Sequence, residues 1–338
     1  MRRLPVYLLV DCSESMAGDA IADVQNGIMS LLSYLRTDPQ ALETVYLSVI
    51  TFSNSAKQVT PLSELIQFRI PELIMGSGTA LGAALELWDD CIKRDVVRST
   101  PETKGDYKPI CFILTDGEPT DNWESAADII KAQVLGRKAT VVAIACGPDA
   151  SVSKLKRITD DVLLTKNDNS EALKAIFKWI SASVATASQA IGKNPRASLD
   201  LDKLHTENLE KIDDYSQIKE PTPSRFVFLH SKCVKTGKFY IMRYEKQANN
   251  SIYAGITAHK VENFDLSSNT KESLNISTSQ LVNHQACPYC GNNTWGRCHC
   301  GHLHCVPPYV GIELTCPWCE SKNIFQVNNC FDIKKGLG

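Results

Sequence analysis

The sequence has 338 residues, with 36 Lys and Arg against 38 Asp and Glu. This length is enough for two domains with sizeable cores, and the near-zero net charge gives no general reason to expect binding to nucleic acid or to an anionic membrane. No apolar stretch reaches the roughly 20 residues that span a bilayer. The N-terminal apolar run contains Pro5, ends at Asp11 and has no small-residue cleavage site after it, so we expect a cytosolic protein with no membrane partner.

From about residue 5 to 190, apolar runs alternate with amphipathic stretches. The runs are rich in β-branched residues, which is typical of strands buried on both faces of a parallel sheet. They lie at 5–10, 45–52, 110–114 and 140–145, with a weaker edge strand at 56–61 and a short last strand at 162–164. This alternation predicts an α/β fold with a doubly wound, mostly parallel sheet and right-handed crossovers.

Four helices are predicted by apolar residues that recur at spacings of three and four, and these stripes should face the core. The stripes are Ile21, Val24, Ile28, Leu31, Leu32 and Leu35; Leu81, Ala84, Leu85 and Trp88; Ala126, Ile129, Ile130 and Val134; and Leu173, Ile176, Phe177 and Ile180.

The composition changes after this α/β region, and it predicts four segments. Residues 1–191 form the α/β domain, and 192–224 form a polar linker that closes with two prolines. Residues 225–283 contain two or three strand-like runs and predict a small β unit, and 284–338 form a cysteine-rich domain.

Oxygen-bearing side chains follow the predicted strands of the first domain. Asp11, Ser13 and Ser15 come directly after the first strand, Thr79 precedes a helix, and Asp116 follows the strand at 110–114. Ligand sites of open parallel sheets lie at the carboxyl ends of the strands, so we expect these five side chains to converge. Their hard oxygen atoms suit Mg²⁺, Mn²⁺ or Ca²⁺ better than zinc, and one open position could accept an acidic residue of a protein partner.

Two other interpretations of these residues stay open. Ser13 or Ser15 could simply cap a helix, as such residues often do. Alternatively, Asp11 could be the nucleophile of a Mg²⁺-dependent phosphohydrolase. Enzymes of the haloacid-dehalogenase type need a second Asp two positions later, where this chain has Ser13, and no histidine precedes His205 for acid–base catalysis.

Seven of the thirteen cysteines cluster near the C-terminus, in two Cys-Pro-x-Cys pairs with three more between them. Such pairs aim two sulfurs at one metal, so they predict a zinc-ribbon-like domain that depends on metal for its folding. The predicted ligands are Cys287, Cys290, Cys298, Cys300, Cys305, Cys316 and Cys319, with His304 as a candidate eighth. The other cysteines, Cys233 among them, are interpreted as small buried apolar side chains.

The ligand pairing and the number of zinc ions, one or two, stay open at this stage. One partition places Cys287, Cys290, Cys316 and Cys319 around one ion and the inner residues around another, and a cross-braced pairing is equally compatible. Zinc ribbons often bind nucleic acid, but the tail has only four basic residues against three acidic ones. A protein-contact or structural role is therefore expected, with nucleic-acid binding as the alternative.

Asp-x-Ser-x-Ser, Thr and Asp in this order resemble the metal-ion-dependent adhesion site of von Willebrand factor A (VWA) domains. Together with the ribbon of Cys-Pro-x-Cys-Gly, Cys-x-Cys-Gly and Cys-Pro-Trp-Cys, the chain resembles the TerY family of bacterial proteins. The resemblance implies a cytosolic protein of tellurite-resistance and stress-response systems that works with a Ser/Thr kinase and a PP2C-type phosphatase. The sequence thus predicts a metal-dependent protein-binding or scaffold module that is not an enzyme.

Overall fold

A computed structural model describes residues 2–116, 118–136, 138–146, 150–165, 170–190, 209–212, 226–247, 251–261, 275–308, 311, 313–324 and 330–334. The chain divides into two compact units. The first unit consists of Met1–Asp11, Asp19–Leu73 and Thr79–Pro221, and the second of Cys12–Gly18, Ile74–Gly78 and Thr222–Gly338. None of the described helices is long and apolar enough to cross a membrane.

The first unit is a seven-stranded sheet with six helices. Its strands are β1 (Leu4–Asp11), β2 (Val45–Phe52), β3 (Ala56–Glu64), β4 (Ile110–Thr115), β5 (Thr140–Ala145), β6 (Val162–Thr165) and β7 (Leu209–Lys211). Its helices are α1 (Asp19–Thr37), α2 (Pro39–Thr44), α3 (Leu81–Asp95), α4 (Glu124–Leu135), α5 (Val152–Ile158) and α6 (Ser170–Ala190). The strand order is β3-β2-β1-β4-β5-β6-β7, with only β3 and β7 antiparallel to their neighbours. The predicted fold class is confirmed.

Burial explains why the strands read as continuous apolar runs. Every residue of β1 is buried, because helices cover a parallel sheet on both faces. The predicted stripes of α1 and α6 are buried apart from Ile21, which is half-buried. The stripe of α4 was predicted one residue too wide: Ile129 is 53% exposed, and Ala126, Ala127 and Ile130 form its buried face. An apolar residue beside the buried stripe of a helix can therefore be exposed to solvent even when its spacing is helical.

Among the described residues, the second unit has ten strands, seven of which have four residues or fewer. They are β8 (Phe226–Lys232), β9 (Phe239–Lys246), β10 (Tyr253–Lys260), β11 (Asn275–Ser277), β12 (Leu281–Val282), β13 (Thr294–Arg297), β14 (Leu303–Val306), β15 (Glu313–Thr315), β16 (Lys322–Ile324) and β17 (Asp332–Lys334). Six of them form a sheet in the order β12-β10-β9-β8-β14-β13, and β11-β17 and β15-β16 form two small ladders.

The strand pairing differs from two of the segment boundaries predicted from the sequence. Strands β8 and β14 pair in parallel at Leu303–Ser231 and His304–Lys232, so the predicted segments 225–283 and 284–338 contribute to one sheet. Such pairing between distant strands leaves no local signal in the sequence. The predicted linker, 192–224, lies outside the described residues except for 209–212, where β7 extends the first sheet next to β6.

Candidate metal centres

Two predicted oxygen ligands lie at the carboxyl edge of the first sheet. Asp11 ends β1 and Asp116 follows β4, and these two strands are parallel neighbours. The buried Thr115 donates a hydrogen bond through Oγ1 to Oδ2 of Asp11, at 2.5 Å. The thiol of Cys146, after the next strand, has a raised pKa because of burial and of the carboxylates of Asp116 and Asp11. Both carboxylates therefore act on the same small region.

Thr79 is held in the same unit by the loop that follows β4. Its backbone N–H donates to Oγ1 of Thr120 at 2.9 Å, and its carbonyl accepts from the backbone N–H of Thr120, also at 2.9 Å. The next residue, Asp121, accepts from the backbone N–H groups of Gly82 and Ala83 at the start of α3. Asp121 thus caps α3 with its carboxylate, directly after the residue that holds Thr79.

The side-chain hydroxyl of Thr79 is a buried oxygen atom with unused hydrogen-bonding capacity. The residue is fully buried, and Oγ1 has no hydrogen-bond partner among the residues that the structure describes. Buried hydroxyls nearly always have a partner, because an unsatisfied one costs free energy. The carboxylates of Asp11 and Asp116 and the hydroxyl of Thr79 are hard oxygen donors of the kind that Mg²⁺ takes as ligands.

Ser13 and Ser15 lie in the turn that directly follows Asp11, around a one-turn 3₁₀ helix at Glu14–Met16. Their hydroxyl oxygens lie 2.8 Å apart, so the two side chains turn toward each other. Although Ser13 stands at the N-cap position, its side chain makes no capping hydrogen bond. The capping interpretation is therefore not supported for Ser13.

The structure arranges eight cysteines in two groups of four, and in each group the sulfurs lie within 4.8 Å of one another. The first group consists of Cys233, Cys287, Cys290 and Cys305, and the second of Cys298, Cys300, Cys316 and Cys319. In a zinc tetrahedron with Zn–S bonds of about 2.3 Å, the sulfurs are about 3.8 Å apart. The observed separations of 3.5 Å for Cys290–Cys305, 3.6 Å for Cys298–Cys319 and 3.9 Å for Cys300–Cys316 match this spacing.

Three tight turns position the cysteines by the same backbone hydrogen bond. The N–H of the fourth residue after the cysteine donates to the cysteine carbonyl, at 2.8 Å for Gly237 to Cys233 and 2.9 Å for Gly291 to Cys287. Glu320 makes the same bond to Cys316, at 2.9 Å. The residue at this fourth position has a positive φ in each turn: 68° at Gly237, 76° at Gly291 and 61° at Glu320. Glycine relieves this strain in the first two turns.

Several donors point at the sulfurs, which favours the thiolate form that binds metal. Burial opposes ionisation of Cys298, but hydrogen bonds from the Ser321 hydroxyl and the Cys300 backbone lower its pKa to about 6. At Cys233, burial is likewise outweighed by hydrogen bonds from Thr236 and the backbone of Lys235, and the pKa falls to about 7. The backbone N–H of Val234 donates to Sγ of Cys305 at 3.3 Å, but burial outweighs this bond and raises the pKa of Cys305.

This grouping corrects the sequence analysis at two positions. Cys233 is a member of the first group and not merely a small buried residue, and His304 belongs to neither group. His304 is fully buried, and its Nδ1 lies 3.1 Å from the carbonyl of Cys305. The proposed partition of Cys287 and Cys290 with Cys316 and Cys319 is not observed, because these pairs lie in different groups. Two signals could have identified Cys233: the odd count of seven, and the spacing Cys-x-x-x-Gly that Cys233 shares with Cys287.

Two protein-family models match successive parts of the chain. A family model of the von Willebrand factor type A domain matches residues 6–179, which is more than half of the chain. The chain belongs to the VWA domain family. A second family model, the TerY-C metal binding domain, matches residues 223–338, so the predicted combination of a VWA domain with a C-terminal TerY-C domain is confirmed. None of the curated proteins compared with the chain matches it.

Several solved structures resemble the VWA part of the chain at low identity. Proximal thread matrix protein 1 from the mussel byssus, in a structure with a zinc-occupied MIDAS motif, is 20% identical over 54% of this chain and 48% of its own, with a TM-score of 0.40. The pilus adhesin SpaC from Lactobacillus rhamnosus GG is 16% identical over 55% of this chain and 30% of its own, with a TM-score of 0.41. BatB from Bacteroides thetaiotaomicron is 20% identical over 54% of this chain and 99% of its own, with a TM-score of 0.38. This chain thus spans about half of the mussel protein and under a third of SpaC.

Proposed function

We propose that this VWA protein is a metal-dependent protein-binding module. A divalent cation held by Asp11, Ser13, Ser15, Thr79 and Asp116 would leave one coordination position for a carboxylate of a protein partner. The observation that carries this proposal is the fully buried Thr79 hydroxyl, which has no partner in the described part of the chain. The three hydroxyl ligands add no negative charge, and Mg²⁺ binds carboxylate oxygens well, so an acidic side chain of a partner suits the open position.

The two cysteine groups support a second, structural role for metal. Each group offers four cysteine sulfurs within 4.8 Å of one another, so we propose one Zn²⁺ in each. In this proposal the zinc ions hold the short strands of the TerY-C domain together, and the domain serves as a scaffold. Thiolate sites of this kind persist in a reducing compartment, which is the basis for placing the protein in the cytosol.

The finer part of the proposal concerns partners. By its similarity to TerY-type proteins, the chain would work with a Ser/Thr kinase and a PP2C-type phosphatase in a bacterial stress response such as tellurite resistance. It would do so as a binding protein and not as an enzyme. Retention of these two proteins on the immobilised chain would support this, and their absence from the retained fraction would remove it.

The test is affinity capture from the native cell with the full chain, first with Mg²⁺ and then with a chelator. We expect partners that are retained only with Mg²⁺, and we expect Asp11→Ala and Thr79→Ala to lose them. Asp90→Ala is the matched control, because Asp90 is an exposed acidic residue on α3 with a 73% exposed side chain. Retention that is indifferent to Mg²⁺ and to both variants would contradict the proposal. Turnover of a phosphomonoester that Asp11→Ala abolishes would instead favour the phosphohydrolase.

A further inference from the structure

Glu14 is a buried carboxylate between the two serines of the Asp-x-Ser-x-Ser motif. It is 2% exposed, and both of its oxygens are engaged within the second unit. Oε2 accepts a hydrogen bond from the backbone N–H of Gly78 at 2.7 Å, and Oε1 lies 2.7 Å from Nε2 of His230 on β8. An ionised carboxylate only accepts, so His230 donates through Nε2. Burying such a group without these donors would be costly.

The same loop, Cys12–Gly18, is also held by strand β9 of that unit. Arg243 on β9 donates through Nη1 to the carbonyl of Ala17 at 2.6 Å, and its guanidinium group lies 3.9 Å from the ring centroid of Phe226. Thr257 on β10 lies close to Gly18, where an added Cβ would be 3.6 Å from its methyl group, and Gly18 has a φ of +106°. Two neighbouring strands therefore hold the loop through hydrogen bonds, and a third lies beside it.

The contacts of Glu14 fix the backbone next to the proposed cation ligands. Glu14 lies between Ser13 and Ser15, and its other contact, Gly78, directly precedes Thr79. The Glu14 side chain thus connects the backbone between Ser13 and Ser15 with the backbone directly before Thr79. Small cations such as Mg²⁺ demand nearly ideal octahedral geometry, so loops that are held in place bind them more tightly than loops that must be ordered first.

We infer that Glu14 and His230 are a positioning pair that sets the cation affinity of the VWA site from strand β8. The inference rests on the proposed function, since it presupposes a cation at Ser13, Ser15 and Thr79. Neither residue is a ligand in this account: Glu14 holds the two loops, and His230 holds Glu14. Because such linkage is reciprocal, a bound cation also stabilises β8.

The test measures Mn²⁺ binding to the zinc-loaded full chain, through the loss of the free-ion electron paramagnetic resonance signal. Changes around metal ligands typically cost about 10- to 100-fold in affinity, and we expect His230→Leu and Glu14→Gln each to weaken Mn²⁺ binding by at least about tenfold. His230→Gln keeps a donor near Oε1 and should bind within about threefold of wild type, a difference under 1 kcal/mol. The control is Glu313→Gln, which removes an exposed ion pair with Lys322 in the same unit.

Glu14 and His230 act through the same contact, so the effects of the two substitutions on Mn²⁺ affinity should not add. The double variant Glu14→Gln/His230→Leu should bind Mn²⁺ no more weakly than Glu14→Gln alone. Each variant should keep the wild-type zinc content, which shows that the second unit is folded. As a reciprocal readout, Mn²⁺ should slow amide hydrogen exchange in β8 of wild type but not of Glu14→Gln.

The outcomes separate this inference from the proposed function. If wild type shows no Mn²⁺ binding that Thr79→Ala removes, the proposed function fails. If Thr79→Ala removes binding while His230→Leu and Glu14→Gln bind as tightly as wild type, the cation site stands and the positioning pair is overturned. Equal weakening by His230→Leu and His230→Gln would overturn the donor role of His230.

Discussion

The two sheets of this protein are stabilised in different ways. In the first sheet, β1 and β2 have eight residues each, and their neighbours bury large side chains such as Trp88 and Phe112. In the second sheet, β9 and β10 are also eight residues long, but β12, β13 and β14 have two to four residues, and cysteines form part of the core itself. A sheet of apolar strands covered by helices can supply enough burial to fold, whereas a unit that depends on such short strands needs a bound metal.

The largest expected effect is the response of each sheet to zinc removal. A strong chelator under reducing conditions should abolish amide protection in β9 and β14, because structural zinc contributes on the order of 10 kcal/mol to such domains. Strands β1, β4 and β5 should keep their protection, since their core is apolar. Hydrogen exchange followed by mass spectrometry reports both sheets in one experiment. Equal loss in both sheets would mean that the comparison is false.

The next effect concerns the cysteine that the sequence analysis missed. Cys233→Ser should reduce the bound zinc from two ions to about one per chain, since tetrahedral structural sites need all four ligands. Cys330→Ser is the matched control, because Cys330 is exposed and lies outside both groups. Zinc content is measured by elemental analysis of the purified protein. Two tightly held zinc ions in Cys233→Ser would show that the first group is assigned wrongly.

A core substitution should affect the first sheet alone. Trp88 is fully buried on α3, with its ring 6.3 Å from that of Tyr7. Trp88→Ala should lower the free energy of unfolding of the first unit by about 3–5 kcal/mol, because it leaves a large cavity. Ile129→Ala, on the exposed face of α4, should change it by less than about 0.5 kcal/mol. Denaturant unfolding measures both, and a changed zinc content in Trp88→Ala would speak against independent stabilisation.

The smallest effect sharpens the account of the cysteine turns. Gly291 has a φ of +76°, and an added Cβ would meet nothing within 4 Å, so Gly291→Ala changes only the backbone preference. We expect a loss of about 1–2 kcal/mol in the second unit. Glu320 occupies the same position in another turn, with a φ of 61°. Glu320→Gly should therefore stabilise the second unit, whereas Gly291→Ala destabilises it. Thermal unfolding of the zinc-loaded chain gives both signs, and equal signs would refute the strain argument.

Much of the first unit could be predicted from sequence because its signals are local. A run such as that of β1 identifies a doubly buried strand, and an acidic residue at its end marks the edge where ligands bind. The error at Ile129 arose because a helical stripe gives a direction but not the width of the buried face. The strand β7 could not be predicted, since it is three residues long and, within the described residues, pairs with β6 alone.

The second unit was predictable in its chemistry but not in its connections. Spacing identifies Cys287 with Cys290 and Cys316 with Cys319 as pairs, but it does not reveal which pairs share a metal. That choice depends on the parallel pairing of β8 with β14, which brings Cys233 to Cys305. The buried contact between Glu14 and His230 is likewise invisible in sequence, because the two residues are more than 200 positions apart.

The two cysteine groups also differ in how much chain must exist before each can form. The second group lies within about twenty consecutive positions, whereas the first joins Cys233 to Cys305, more than seventy positions later. During synthesis the first group is complete once Cys305 has emerged, before Cys319 of the second group. When the whole unfolded chain takes up metal, however, closing the short loop costs less entropy than closing the long one, so the compact group should then acquire its metal first.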